Sequence, residues 1–178
     1  IEALLPFPCD GELNDVAEQL TELVQLPVHF EVNYQVEPVR QHALKGIKNI
    51  IAVSSGKGGV GKSTAALNMA YTLAKMDARV GLFYADIYVP SLPTLVRPKD
   101  TRVVAEDDLL CPLEYEGVKL MSFGFIPKNP GSEAAIMRGP MVTQVINQLL
   151  TGTNWGELDY QFAPIGTGQQ LVDHLGDH

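Results

Sequence analysis

Between Leu13 and Leu26 the apolar side chains fall at Leu13, Val16, Ala17, Leu20, Leu23 and Val24, the three-and-four spacing of one face of a helix. Asn14 and Asp15 suit its first turn and Pro27 closes it. The period then changes to two. Val28, Phe30, Val32, Tyr34 and Val36 alternate with His29, Glu31, Asn33 and Gln35, which predicts a half-buried strand. Glu37 to Lys45, with Pro38, reads as a linker. One helix and one strand are too little to enclose a core, so this segment is expected to pack on something else.

From Gly46 the pattern is that of an α/β unit. Asn49–Ser54 is a short apolar run, expected to be a strand buried on both faces. Ser63–Lys75 places Leu67, Ala70, Tyr71 and Ala74 on one helical face, and Arg79–Tyr84 is a second buried strand. Strand, helix and strand at this spacing form a βαβ crossover. Asp86 to Asp108 is rich in loops, with Pro90, Pro93 and Pro98, and Val118–Phe123 is a third strand. Gly139-Pro140 opens a helix with proline in its first turn. Met141, Val142, Val145, Ile146, Leu149 and Leu150 form its apolar face, and Gly152 ends it. Gln161 to Pro164 reads as a poor central strand, because proline removes a ladder donor. The tail from Gln169 to His178 is polar and acidic and suggests no role. The fold class expected is α/β, a doubly wound domain whose parallel sheet contains Asn49–Ser54, Arg79–Tyr84 and Val118–Phe123 between flanking helices.

The candidate chemistry sits between the first of those strands and its helix. Gly56-Lys57-Gly58-Gly59-Val60-Gly61-Lys62-Ser63 meets the pattern of a phosphate-binding loop, and Thr64 continues it. Glycines at these positions let successive backbone N–H groups turn inward around phosphate oxygens. Lys62 supplies a point charge for the outer phosphates. The Ser63 hydroxyl is a candidate ligand for Mg²⁺. The helix that begins here presents its positive end to the anion. ATP with Mg²⁺ is therefore the expected ligand, held by residues 56 to 64. Lys57, read without context, is a solvated loop charge; directly after the first glycine it is also the mark of the deviant Walker A class.

Composition narrows the partners. Twenty-one acids against 13 bases give a net charge of −8, which argues against nucleic acid as a main partner, since such binding needs a basic face. No apolar run approaches the ~20 residues of a membrane-spanning helix. Cys9 and Cys111 are the two cysteines; far apart and outside any CxxC pair, they point to a reducing compartment rather than a disulfide scaffold. The sequence begins at Ile1, so either a leader has been removed or it starts inside a longer chain.

The run IIAVSSGKGGVGKSTAALNMAYTLAKMDARVGLFYADIYVPSLPTL, with GVKLMSFGF and AIMRGPMVTQVINQLLTGTNWGELDY, resembles the Mrp/ApbC ATPases, scaffolds or carriers of 4Fe-4S clusters, and most closely the chloroplast (high-chlorophyll-fluorescence) branch of that family. The resemblance divides the chain into a remnant of a MIP18-like domain at 1–37, a linker at 38–45 and a partial P-loop ATPase domain at 46–178. It implies a homodimer in which Lys57 reaches the partner's nucleotide, and gives Lys57, Lys62 and Asp86 catalytic roles, Asp86 positioning the attacking water. Without the resemblance Asp86 is a turn or capping aspartate at a strand end. Arg138, in Met137-Arg138-Gly139-Pro140, is typical of the family but has no evident chemical task.

The departures weigh equally. Where the family reads DADIYGPS, this chain has Tyr84-Ala85-Asp86-Ile87-Tyr88-Val89-Pro90-Ser91, so an acid has become Tyr84. After Asp159-Tyr160 the family has an apolar strand ending in the Walker B aspartate; Gln161 to Gly168 keeps Gly-Thr-Gly without that aspartate. The family's later strands, its adenine-binding segment and its CPxC cluster ligands are absent from these residues, so the 4Fe-4S cluster expected for the family lacks its ligands here. The C-terminal half of the sheet is expected to be missing, leaving the P-loop strand near an edge. A longer chain, a degenerate gene product, or a subunit whose edge another chain covers each account for this.

Three functions compete. The first is an ATP-binding 4Fe-4S carrier or assembly factor acting on apo iron–sulfur proteins, in the plastid stroma or on the stromal face of the thylakoid, otherwise in cytoplasm or mitochondria. The second is a non-catalytic relative held in a large host complex. The third is a MinD/ParA-like positioning ATPase, against which the Tyr88 to Pro93 and Met137 to Pro140 segments speak.

Overall fold

The computed structural model describes residues 2–8, 12–39, 44–85, 92–98, 100, 102–126 and 139–165. Its elements run β1 (Glu2–Leu5), α1 (Glu12–Val24), β2 (Glu31–Tyr34), β3 (Ile47–Val53), α2 (Lys62–Lys75), β4 (Val80–Tyr84), α3 (Leu92–Leu95), β5 (Ala105–Glu106), β6 (Leu109–Leu110), β7 (Leu113–Tyr115), β8 (Val118–Ser122), α4 (Gly139–Thr151) and β9 (Leu158–Pro164), with a 3₁₀ turn at Phe123–Phe125.

The main sheet has the order β3-β9-β4-β8-β7. β3, β9, β4 and β8 are mutually parallel, and β7 joins β8 antiparallel. All three strands expected from the sequence lie in this parallel sheet, so the α/β class holds. β4 is buried along its whole length. α2 buries Ala66, Leu67 and Ala70, and α4 buries Val142, Ile146, Leu149 and Leu150, in one cluster with Leu82, Phe83, Leu120, Met121 and Phe162. Trp155 closes the far side of that cluster. Its ring meets Phe83 edge-on at 6.4 Å, and its Nε1 donates to the Leu150 carbonyl at 2.9 Å.

Three expectations need correction. Gln161 to Pro164 is no poor strand: it is the second half of β9, the strand between β3 and β4. The proline is tolerated because N–H groups along a strand point alternately to the two neighbours. Ile165 donates to Val53 of β3 at 2.9 Å, so an N–H at 164 would face β4, where the register already ends at Leu82 and Phe162. The ladder to β3 runs unbroken past the proline. β3, expected to be buried on both faces, is mostly half-buried, because it ends the sheet among the described residues. The alternation from Val28 to Val36 yields a shorter strand, β2, which pairs in parallel with β1, an element the sequence pattern did not suggest. The Tyr34 hydroxyl donates to the Met76 carbonyl at the end of α2, tying this small sheet to the larger unit. Among the described residues no helix is long and apolar enough to cross a membrane.

Candidate functional site: the loop at the finishing end of the sheet

β3, β9 and β4 run the same way, so Val53, Pro164 and Tyr84 bring their finishing ends to one edge of the sheet, with Val53 opposite Pro164. In open α/β sheets this edge carries the binding crevice. The Gly56–Gly61 loop leaves β3 here and delivers α2 at Lys62. Ser55 Oγ donates to the Lys57 carbonyl at 2.7 Å, pinning the entry. Gly59 and Gly61 have φ of 72° and 96°, backbone that side-chain-bearing residues adopt only with strain. A Cβ built on Gly56, Gly58, Gly59 or Gly61 would meet no atom within 4 Å. Among the described residues, the space beside this loop is therefore open.

At the start of α2 the first intrahelical bond runs from Ala65 N to the Gly61 carbonyl at 2.8 Å. Among the described residues no side chain caps the helix, and no acid stands in its first turn. The N–H groups of the first turn are left for a ligand, and the helix dipole adds positive potential. Lys62 and Ser63 are half-buried, while Lys57 and Val60 are exposed. Among the described residues neither Lys57 nor Lys62 forms an ion pair. Open glycine backbone, free amides and an unpaired ammonium together fit the polyphosphate of a nucleotide.

The donor set does not fit a protein-held Mg²⁺ equally well. Ser63 Oγ lies 2.7 Å from Tyr84 Oη. Tyr84 is the last residue of β4 and 6% exposed. The residues that finish β9, Ala163, Pro164 and Ile165, carry no side-chain oxygen. No cluster of three or more His, Cys, Asp or Glu side chains that could hold a metal occurs among the described residues. Asp86 and Arg138 lie outside the described residues, as does Cys9. Cys111, half-buried on the approach to β7, has its thiol pushed up by desolvation and then by Glu106, which disfavours the thiolate needed for cluster ligation.

Sequence reasoning noted Tyr84 as a replacement but missed its reach to Ser63; a hydroxyl at the finishing end of a buried strand was the available signal. It also missed Asp159 at the opposite end of the sheet. That carboxylate accepts from Lys48 Nζ at 2.9 Å, from Arg79 Nε and Nη2 at 3.1 and 2.9 Å, and from the Arg79 backbone N–H at 3.0 Å. Burial pushes its carboxyl up, but these bonds outweigh burial and hold it well below the usual carboxylate range.

Residues 46–173 match the ParA family described as NUBPL iron-transfer P-loop NTPase. The chain belongs to that family. The chloroplastic Fe-S cluster assembly factor HCF101 of Arabidopsis thaliana is 62% identical over 130 residues, covering 70% of this chain and 24% of the relative. The iron-sulfur cluster carrier protein of Haemophilus influenzae is 40% identical over 184 residues, 94% of this chain and 48% of the relative. Among solved structures, a nucleotide-binding protein in complex with ADP from Archaeoglobus fulgidus is 35% identical with a TM-score of 0.54, covering 67% of this chain and 46% of its own. The chain thus spans from about a quarter to about half of the length of these relatives. The matched region takes in the loop, α2 and all five strands of the main sheet, so the site described above belongs to the family's P-loop NTPase unit.

Proposed function

We propose that this chain is the nucleotide-binding part of an iron–sulfur cluster assembly factor or carrier of the plastid, acting in the stroma or on the stromal face of the thylakoid. The observation that carries the reading is the open glycine cradle feeding the uncapped start of α2. The amides of Gly56 to Gly61, with those of Lys62, Ser63 and Thr64, would hold the phosphates of ATP or ADP, and the Lys62 ammonium the outer ones. The names of the relatives support iron–sulfur work and the plastid. The cluster is cargo, with apo iron–sulfur proteins as its acceptors. A single copy of these residues offers two thiols, Cys9 and Cys111, where a 4Fe-4S cluster needs four. Exposed Lys57 suits a role across a homodimer, and the family resemblance supports positioning of water by Asp86. The domain division proposed is 1–37, 38–45 and 46–178.

A specific observation favours a second reading, a binding subunit that turns over little nucleotide inside a larger host complex. Tyr84 stands at Ser63, and Pro164 ends the neighbouring strand, so neither supplies the carboxylate that organises hydrolysis in P-loop NTPases. Calorimetric titration of ADP into wild type and Lys62→Ala decides the shared claim: wild type binds, and the variant loses at least tenfold, since a hydrogen bond to a charged group contributes about 1.5–3 kcal/mol. Equal affinities would refute it. Steady ATP hydrolysis abolished by Lys62→Ala would then discard the second reading.

A further inference from the structure

Magnesium usually joins a P-loop through the Ser or Thr hydroxyl and a carboxylate from a neighbouring strand, because the small hard cation is held by carboxylate plus phosphate oxygens. Among the described residues of this chain the two neighbouring strand ends offer something else. β9 finishes in Ala163-Pro164 and is followed by Ile165, none with a side-chain oxygen. β4 finishes in Tyr84, on the same face as Val80 and Leu82, whose partners across the ladder are Tyr160 and Phe162 of β9. That spacing sets Tyr84 level with Pro164. Its hydroxyl lies 2.7 Å from Ser63 Oγ, in a partly buried setting at the mouth of the glycine loop. Either hydroxyl can be the donor in that bond; with Ser63 donating, the phenol oxygen accepts from it as a carboxylate would. The difference is charge: the phenol is neutral, and its oxygen is a poor substitute for an anionic one beside a divalent cation.

We propose that Tyr84 makes nucleotide binding at this loop largely independent of Mg²⁺, its neutral hydroxyl holding Ser63 where a carboxylate would otherwise recruit the cation. Affinity then comes from the loop amides and Lys62, which contact phosphate directly. The inference rests on the nucleotide reading above and adds to it the form of the ligand, the free nucleotide rather than its magnesium complex.

The test is calorimetric titration of ADP into the full chain in excess EDTA and in excess MgCl₂. Wild-type dissociation constants in the two media should agree within about threefold, less than the 1.4 kcal/mol of a tenfold change. Ser63→Ala should change the EDTA and magnesium values by the same factor, within about threefold, because its hydroxyl holds no cation. Tyr84→Asp should create a magnesium preference of about tenfold or more. Tenfold tighter wild-type binding in magnesium, or a tenfold loss on Ser63→Ala in magnesium alone, overturns the proposal while leaving nucleotide binding in place. No binding by folded wild type in either medium overturns the nucleotide reading and this inference with it. Should Tyr84→Asp fail to fold, the wild-type and Ser63→Ala titrations still decide.

Discussion

The two ends of the parallel sheet treat polar groups in opposite ways. Where the strands begin, Asp159 is 5% exposed and its carboxylate is saturated by Lys48, the Arg79 guanidinium and the Arg79 backbone. Asn49 Nδ2 adds a bond to the Asp159 carbonyl at 3.3 Å. Where the strands finish, the glycine loop stands open, α2 starts without a cap, and Lys62 has no described counterion. Polar groups satisfied within the chain hold the strands in register; polar groups left unsatisfied at the surface are available to a ligand. One sheet carries a stabilising end and a binding end, joined through β9 and β4.

The most disruptive way to break this comparison is at the closed end. Asp159→Asn removes the charge that four donors on two residues share, and should lower stability by about 1.5–3 kcal/mol, read by urea denaturation. The same carboxylate predicts an acid limb. Its folded pKa lies below the unfolded value of about 3.9, so below about pH 4 the unfolded chain binds more protons and stability falls as pH falls. The fall should be shallower in Asp159→Asn. An unchanged acid limb in that variant would assign acid lability elsewhere.

Next in size is Gly61→Ala. Forcing a side chain onto φ of 96° should cost about 1–2 kcal/mol and weaken ADP binding as well, since the loop must relax away from its cradle. A smaller effect of opposite sign is expected midway between the ends. Gln161 is 1% exposed, and among the described residues neither polar atom of its amide finds a hydrogen-bond partner. Gln161→Leu should therefore raise stability by about 1 kcal/mol; a loss would show that the amide is satisfied in solution. Smallest of all, Lys62→Ala without nucleotide should stay within about 0.5 kcal/mol of wild type, because the lysine side chain forms no ion pair or side-chain hydrogen bond among the described residues. A larger loss would make the binding end structural.

The loop was legible from the sequence because each of its glycines and Lys62 answers a backbone or charge requirement that no other residue type meets so well. The helices α1, α2 and α4 were legible from their period, and the strands β3, β4 and β8 from short apolar runs placed before or after them. β9 was not, because Gln161 and Pro164 violate strand chemistry locally and only the ladder direction shows why the proline is harmless. β1 and β7 escaped for a related reason: four- and three-residue strands carry too little pattern to be read apart from their partners. The Ser63–Tyr84 and Asp159–Arg79 pairs join residues 21 and 80 positions apart, contacts that local periodicity does not encode.

The central claim, that the open end of the sheet is a nucleotide site, is tested most directly by the thermal midpoint of the folded chain with and without ADP. Ligand at a hundred times its dissociation constant adds ~2.7 kcal/mol to native stability. For a chain of this length each kcal/mol moves the midpoint by roughly 2–4 °C. The account predicts a rise of about 5–11 °C in wild type and little or none in Lys62→Ala at the same ADP concentration. Lys57→Ala should keep most of the rise if its task lies on a partner copy. A wild-type midpoint that ADP leaves unmoved, in a sample that melts cooperatively, would contradict the account.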